Sequence, residues 1–251
     1  MALLKDKIAL VTGGATGIGR ATTIAMAREG ATVIVADVAI KEAKATSGRI
    51  VDSGGESFAM ECDVSSEEQV EDLIGTIVQQ HGRLDVAFNN AGIEGTRVPM
   101  TEFLESEWDR VIDINLKGVW LCMKHEIRQM LTQGGGSIVN TSSIAGMMGM
   151  KGSTAYGAAK HGVIGLTRVA AVEYADKGIR VNAVLPGAVR TPMTERLMSN
   201  EPGREAMYMS IQPIRRLGTP EELAEAVVWL SSDAASLVTG IAMPVDGGVL
   251  A

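Results

Sequence analysis

The sequence predicts an α/β fold: one doubly wound, seven-stranded parallel sheet with helices on both faces, in a single domain spanning residues 1–251. Three observations predict it. Short apolar, β-branched runs alternate with longer helical patterns from one end of the chain to the other, and such alternation joins strands by crossovers into parallel sheet. The first of these runs ends in a glycine-rich loop that opens a helix. No internal repeat, low-complexity tract or linker divides the 251 residues.

Residues 7–12 (KIALVT) form the first predicted strand, and Gly13-Gly-Ala-Thr-Gly-Ile-Gly19 leads into an amphipathic helix over residues 20–29. Strand, glycine loop and helix together suit a phosphate: glycines let the backbone approach it, and the helix N-terminus presents unpaired N–H groups. The spacing is GxxxGxG rather than GxGxxG. Residues 31–36 (ATVIVA) form the second strand, closed by Asp37. An acid about twenty residues past such a loop stands where ribose hydroxyls are accepted, and a carboxylate there repels a 2′-phosphate. Residues 56–61 form a third strand, ending at Cys62-Asp63-Val64, and Ser65 and Ser66 cap a charged helix that runs to His81. Residues 84–88 (LDVAF) form a fourth, ending at Asn89-Asn90-Ala91-Gly92, where amides and a glycine can bond backbone against the flat face of a ligand.

Residues 102–131 read as one long helix with an apolar stripe that includes Trp108, Val111, Leu116 and Ile127, interrupted by Asn115. A polar amide in that stripe needs a partner. It is either a satisfied core asparagine or one that holds a bent helix and a water. Residues 136–141 form a buried fifth strand, residues 156–177 a small and apolar helix, and residues 178–184 a sixth strand that runs into the stiff loop Leu185-Pro-Gly-Ala-Val-Arg-Thr-Pro192. The Met-rich stretch 193–209 follows, inside a lid-like insertion at about 191–213. Thr219, Pro220, Glu221 and Glu222 start a capped helix to Ser231. Residues 241–245 form the last strand, before Asp246-Gly-Gly248.

Composition narrows the function. With 23 basic against 30 acidic residues the net charge is −7, which argues against nucleic acid or an anionic membrane as partner. No apolar run reaches membrane-spanning length, and residues 1–7 run into a strand without a signal-peptide core, so a cytoplasmic location is expected. The two cysteines, Cys62 and Cys122, lack metal spacing and read as core thiols of a reducing compartment. The three histidines (His81, His125, His161) are scattered, so no metal site is expected. The sequon at Asn140 falls in a buried strand and is read as chance.

The chemistry converges on residues 143–160. Tyr156 and Lys160 stand at i and i+4, on one face of a helix, and Ser143 lies at the carboxyl end of the preceding strand, where open α/β sheets bind ligands. A fixed positive charge beside a phenol favours the phenolate, so Tyr156 is expected below its ordinary pKa of about 10 and suited to move protons. Half of the fourteen methionines lie in residues 146–150 and 193–209, which suggests an adaptable apolar pocket with Met148, Met150, Met193, Leu197 and Met207 as contacts.

Thr12-Gly-Gly-Ala-Thr-Gly-Ile-Gly19, Asp63-Val64, Asn89-Asn-Ala-Gly92, Asn115, Ser143, Tyr156-x-x-x-Lys160, Pro186-Gly187 and Asp246-Gly-Gly248, in that order, make the chain resemble a short-chain dehydrogenase/reductase with a Rossmann fold over essentially its whole length. The resemblance implies the following roles. Gly13, Thr16, Gly17, Ile18 and Gly19 cradle a pyrophosphate, and Asp37 holds the adenosine ribose, which goes with NAD. Asp63 and Val64 flank the adenine. Asn89, Ala91, Gly92, Pro186 and Gly187 line the cofactor cleft, while Val189 and Thr191 hold the carboxamide. Asn115 positions a water, Ser143 holds the substrate oxygen, Tyr156 moves the proton, and Lys160 bonds the nicotinamide ribose. Ser143 is preferred to Ser142 because the family serine precedes the tyrosine by thirteen residues.

The expected activity is hydride transfer between NAD and a secondary alcohol or ketone, in the branch of NAD-dependent alcohol and cyclic-diol dehydrogenases, on an apolar or cyclic substrate. The rivals are a 3-oxoacyl-thioester reductase of the fatty-acid-synthesis type and a non-catalytic, dinucleotide-sensing binding protein. The basic residues near the phosphates that go with NADPH are not expected here. A homotetramer is expected from the breadth of the apolar surface of residues 102–131, from the small residues Ala158, Gly162 and Gly165, and from the helix pairing of the family.

Overall fold

The computed structural model describes residues 2–200 and 202–251. Among them, strands β1 (Ile8–Thr12), β2 (Thr32–Asp37), β3 (Glu56–Glu61), β4 (Val86–Asn89), β5 (Gly136–Thr141), β6 (Ile179–Pro186) and β7 (Ala242–Val245) form one parallel sheet in the order β3-β2-β1-β4-β5-β6-β7. The chain enters at the middle, winds outward to β3, and then crosses back to place β4 on the other side of β1. The carboxyl ends of β1 and β4 are therefore the point where strand order reverses, and ligands of open sheets bind there.

Both faces of the sheet are covered at its centre, so β1, β2 and β4 are largely apolar runs, whereas the edge strand β3 (ESFAME) carries exposed polar residues. On one face Leu10, Ile34, Ala87, Ile138 and Val181 pack against α3 (Glu67–His81), α5 (Gly118–Gln133) and α6 (Thr154–Tyr174). On the other, Ala9, Val11, Val33, Val86, Phe88, Val139 and Val184 meet α1 (Gly17–Arg28) and α9 (Pro220–Ser231). Neighbouring residues such as Ala87 and Phe88 serve opposite layers, as a period of two requires.

The structure departs from the pattern at several elements. The stretch between β2 and β3, where the pattern assigns nothing, is helix α2 (Ile40–Asp52), whose inward face is only Ala43, Thr46, Ser47 and Ile50. The single long helix expected over residues 102–131 is α4 (Glu105–Ile112) and α5, joined by a π-type turn at Asp113–Lys117. The Met-rich segment is two short helices, α7 (Pro192–Asn200) and α8 (Arg204–Ile211). Helix α9 begins as expected: the Thr219 hydroxyl accepts from the Glu222 N–H, the Glu222 carboxylate accepts from the Thr219 N–H at 2.8 Å, and Pro220 opens the helix.

Candidate active site

The turn after β1 is held open by its glycines. Gly13 and Gly17 have φ of +62° and +54°, and a Cβ on Gly13 would lie 2.7 Å from the Ala91 Cα. Gly19, the third residue of α1, has a packing role beside the cradling expected of it. It packs α1 onto the carbonyl of Gly13 and does not border the cleft. Thr16 stands at the N-cap of α1 without a side-chain bond to the first turn, and that turn holds no acid. The leading N–H groups of α1 thus face the cleft without a side-chain cap, which suits an anion.

Asp37 ends β2 with its carboxylate fixed by two backbone donors, the N–H groups of Ala15 and Ala39, each at 3.0 Å. It borders the cleft beside the glycine loop. Asp63 is held in the next turn by the Ser65 N–H and hydroxyl, at 2.9 and 2.7 Å, with Val64 next to it on the wall.

Asn89 does not line the cleft. As the last residue of β4 it shares the face of Ala87, and its side chain is buried among the helices, donating to Glu126 at 2.9 Å and to Asn140 at 3.1 Å. Asn90, one residue on, takes the place at the cleft. Its N–H donates to the Thr12 hydroxyl, its side-chain amide donates to the Gly13 carbonyl at 3.0 Å, and its oxygen accepts from Thr141. Asn90 ties together the loops after β1, β4 and β5; strand alternation from Ala87 onward is the signal that separates it from Asn89.

Asn115 sits fully buried in the π-type turn. Its oxygen accepts from the Ile93 N–H at 2.8 Å, and its amide donates to the Ile93 carbonyl at 2.6 Å. The side chain therefore pins the loop after β4 to the bend between α4 and α5, and it is not on the cleft wall.

Ser143, Tyr156 and Lys160 come together at the end of β5. The Ser143 hydroxyl is beside the phenol of Tyr156 and accepts from the Ala145 N–H at 3.1 Å, whereas Ser142 turns its hydroxyl to the Lys160 carbonyl at 2.8 Å. The Lys160 ammonium lies 5.6 Å from the centre of the Tyr156 ring and donates to the Thr141 carbonyl at 2.8 Å. The expected low phenol pKa is not found in the protein alone. Burial pushes Tyr156 up to about 12, a bond from Ser143 opposes that, and Glu94 raises it further while Arg97 lowers it. Burial alone brings Lys160 down to about 8. Desolvation of both groups outweighs their mutual attraction at this separation.

Two connected cavities result. The larger, about 490 Å³, runs from Asp37, Asp63 and Val64 past Thr16, Gly17 and Ile18 to Tyr156, Lys160, Pro186, Gly187, Val189 and Thr191. The smaller, about 80 Å³, lies beyond Ser143 and Tyr156 and is walled by Met150, Met193, Leu197, Tyr208 and Ile211. Met148 and Met207, expected as contacts, are 40% and 42% exposed and border neither cavity. On α8, Tyr208 and Ile211 take the place expected of Met207. The small cavity also holds an ion pair, Arg97 to Glu94, with both side chains largely buried. Among the described residues no cluster of ligand side chains could hold a metal ion.

Comparison with known proteins accords with this geometry. A family model described as enoyl-(acyl carrier protein) reductase matches residues 13–250. A 2,5-dichloro-2,5-cyclohexadiene-1,4-diol dehydrogenase of Sphingobium indicum is 46% identical over the full length of both chains. A cyclohexanol dehydrogenase of an Acinetobacter species is 45% identical over 96% of this chain and 94% of the relative. The chain belongs to the short-chain dehydrogenase/reductase family. As a member it is an oxidoreductase of CH–OH groups that uses a nicotinamide dinucleotide. The crystal structure of a levodione reductase superposes with a TM-score of 0.95 at 41% identity, covering 98% of each chain. Two further members of the family differ in kind. A 3-oxoacyl-[acyl-carrier-protein] reductase of Thermotoga maritima is 42% identical over 98% of this chain and 99% of its own. The structure of an NAD(P)-dependent gluconate 5-dehydrogenase from Beutenbergia cavernae, described as putative, with NADP bound at low occupancy, superposes at 0.93 with 37% identity, covering 98% of this chain and 98% of that one.

The residues present fit a dinucleotide: an uncapped α1 N-terminus, a glycine turn that a Cβ would block, and a fixed carboxylate at the end of β2.

Proposed function

We propose that this enzyme interconverts a cyclic secondary alcohol and its ketone with NAD(H), and that Tyr156 moves the proton. The observation that carries the reading is the junction of the two cavities, where the Tyr156 hydroxyl and the Ser143 hydroxyl stand between a dinucleotide-sized cleft and a small, mostly apolar chamber. The nicotinamide, when bound, supplies or takes up the hydride. Ser143 holds the substrate oxygen, and Tyr156 donates its proton to that oxygen in reduction and withdraws one in oxidation. A phenol raised to about 12 is a loaded acid at neutral pH, which suits reduction. In oxidation the phenolate must form, and the Lys160 ammonium is the nearby charge that stabilises it. Lys160 also borders the cleft where a nicotinamide ribose would lie, and Asn115 acts through the Ile93 loop as a positioning residue.

NAD is preferred over NADP in this reading because the Asp37 carboxylate would face a 2′-phosphate at close range. The chamber accepts a ring, as the named substrates of two relatives suggest, and the Glu94–Arg97 pair on its wall favours a ring with a second oxygen. Free, buried Cys62 and Cys122 are consistent with a reducing, cytoplasmic setting. Comparing kcat/KM for NAD and NADP across cyclohexanols, cyclohexanediols and cyclic diones tests the proposal. NAD preference and turnover of ring substrates are expected; a preference for NADP would remove the role given to Asp37.

The Thermotoga relative favours a second reading, reduction of a 3-oxoacyl thioester. Turnover of an acetoacetyl thioester with NADPH exceeding that of every cyclic ketone would establish it.

A further inference from the structure

The cleft contains a cation that none of the roles above uses. Arg196 lies on α7 and borders the larger cavity. Helix α7 starts directly over the phosphate turn: a Cβ on Gly17 would lie 3.4 Å from the Thr191 Cβ and 3.7 Å from the Pro192 Cδ. Arg196 follows Pro192 by four residues, so it shares the helix face that meets Gly17, one turn further along. Its guanidinium has no hydrogen bond or ion pair among the described residues, although the arginines around it are engaged. Arg190 pairs with Glu205, and Arg204 is buried beside Tyr208.

The other charged groups on the cleft wall are the carboxylates of Asp37 and Asp63, at the β2 and β3 ends, and Lys160, at the Tyr156 end. The first turn of α1 lies between them and offers an anion its backbone N–H groups and the neighbouring Thr16 hydroxyl, but no cation. A pyrophosphate seated there carries two negative charges, and a planar guanidinium can bond two of its oxygens at once.

We infer that Arg196 is a positioning residue that closes α7 over the pyrophosphate of the bound dinucleotide. The helix that walls the substrate chamber through Met193 and Leu197 is then drawn in by the cofactor, so binding of the dinucleotide completes the chamber. This deepens the dinucleotide reading and rests on it.

Equilibrium binding separates the two. The probes are NADH, ADP-ribose, adenosine and NADPH, measured by titration against wild type, Arg196→Gln and Arg196→Lys. Arg196→Gln is expected to weaken NADH and ADP-ribose alike, by about tenfold for one solvent-accessible charged contact, and to leave adenosine unchanged. Arg196→Lys should restore part of the loss. The decline of ADP-ribose affinity with added salt should be shallower in Arg196→Gln. NADH should leave Arg196→Gln faster in stopped-flow fluorescence. Equal ADP-ribose affinity in wild type and Arg196→Gln would overturn the inference while leaving the dinucleotide site intact. So would a loss confined to NADPH, which would place the guanidinium at the 2′-phosphate instead. Failure of wild type to bind ADP-ribose at all would remove the dinucleotide reading itself.

Discussion

Ser142 and Ser143 are adjacent and chemically identical, yet the backbone turns them to different partners. Ser142→Ala removes a bond to the Lys160 carbonyl inside the protein, while Ser143→Ala removes the hydroxyl beside the Tyr156 phenol. Steady-state kinetics should show kcat/KM falling by about 10²-fold in Ser143→Ala and by less than about tenfold in Ser142→Ala, since in the proposed mechanism only the former serine holds the reacting oxygen. The thirteen-residue spacing singles out Ser143, and the structure sets that hydroxyl beside the phenol. The choice between Asn89 and Asn90 was not legible in the sequence, because it depends on where β4 ends, and one residue of register moves a side chain to the other face. Below Asn89 lies the buried carboxyl of Glu126, pushed up to about 8 by desolvation despite the bond from Asn89. The unfolded chain loses this proton near the ordinary value of 4.5 and the folded chain near 8. The stability that the group supports is thus complete below pH 4.5 and falls as pH rises to 8. Glu126→Gln does not titrate. In urea unfolding at pH 5 and pH 9, wild type should lose about 4 kcal/mol relative to Glu126→Gln between the two conditions. Parallel behaviour would show that the carboxyl is not desolvated.

At the scale of elements, the central strands and the glycine turn were readable because both faces of the sheet are buried there, so β1, β2 and β4 are nearly continuous apolar runs between turns. The π-type turn in the predicted long helix was marked only by Asn115; its cause is a long-range bond to the Ile93 backbone, which helical periodicity does not report. Helix α2 escaped because so little of it is apolar. The methionines misled for a related reason. Met207 and Tyr208 are neighbours on α8, and the tyrosine faces inward. Alanine at Met193 or Leu197 should therefore raise KM for a cyclic substrate several-fold, and alanine at Met148 or Met207 should not. The opposite ranking would place the substrate outside the chamber between α7 and Tyr156.

At the scale of the molecule, the described residues leave an apolar face uncovered. On α6, Ala158, Gly165, Val169 and Val172 form an exposed stripe, with Val172 84% exposed, and Trp120 on α5 is 45% exposed. Gly162, expected on that stripe, is turned inward, where a Cβ would lie 2.7 Å from Leu116 of the same chain. Exposed apolar residues of this kind on two helices mark an interaction surface, and a homotetramer built on α5 and α6 is the assembly we expect. Light scattering at micromolar concentration should give four times the chain mass of 26.4 kDa; a monomeric mass would refute it. The same measurement on Val172→Glu should show dissociation. The central claim concerns the proton at Tyr156, and the most direct test is kcat/KM for NAD-linked oxidation of a cyclic secondary alcohol by wild type and Tyr156→Phe, with NADH binding measured on both. The ring and its packing remain, and only the hydroxyl is lost. We predict a fall of about 10³-fold or more in kcat/KM with NADH affinity unchanged, the mark of an interaction made only in the transition state. Comparable turnover by the two proteins, or wild type that binds NADH and turns over no secondary alcohol, would contradict it.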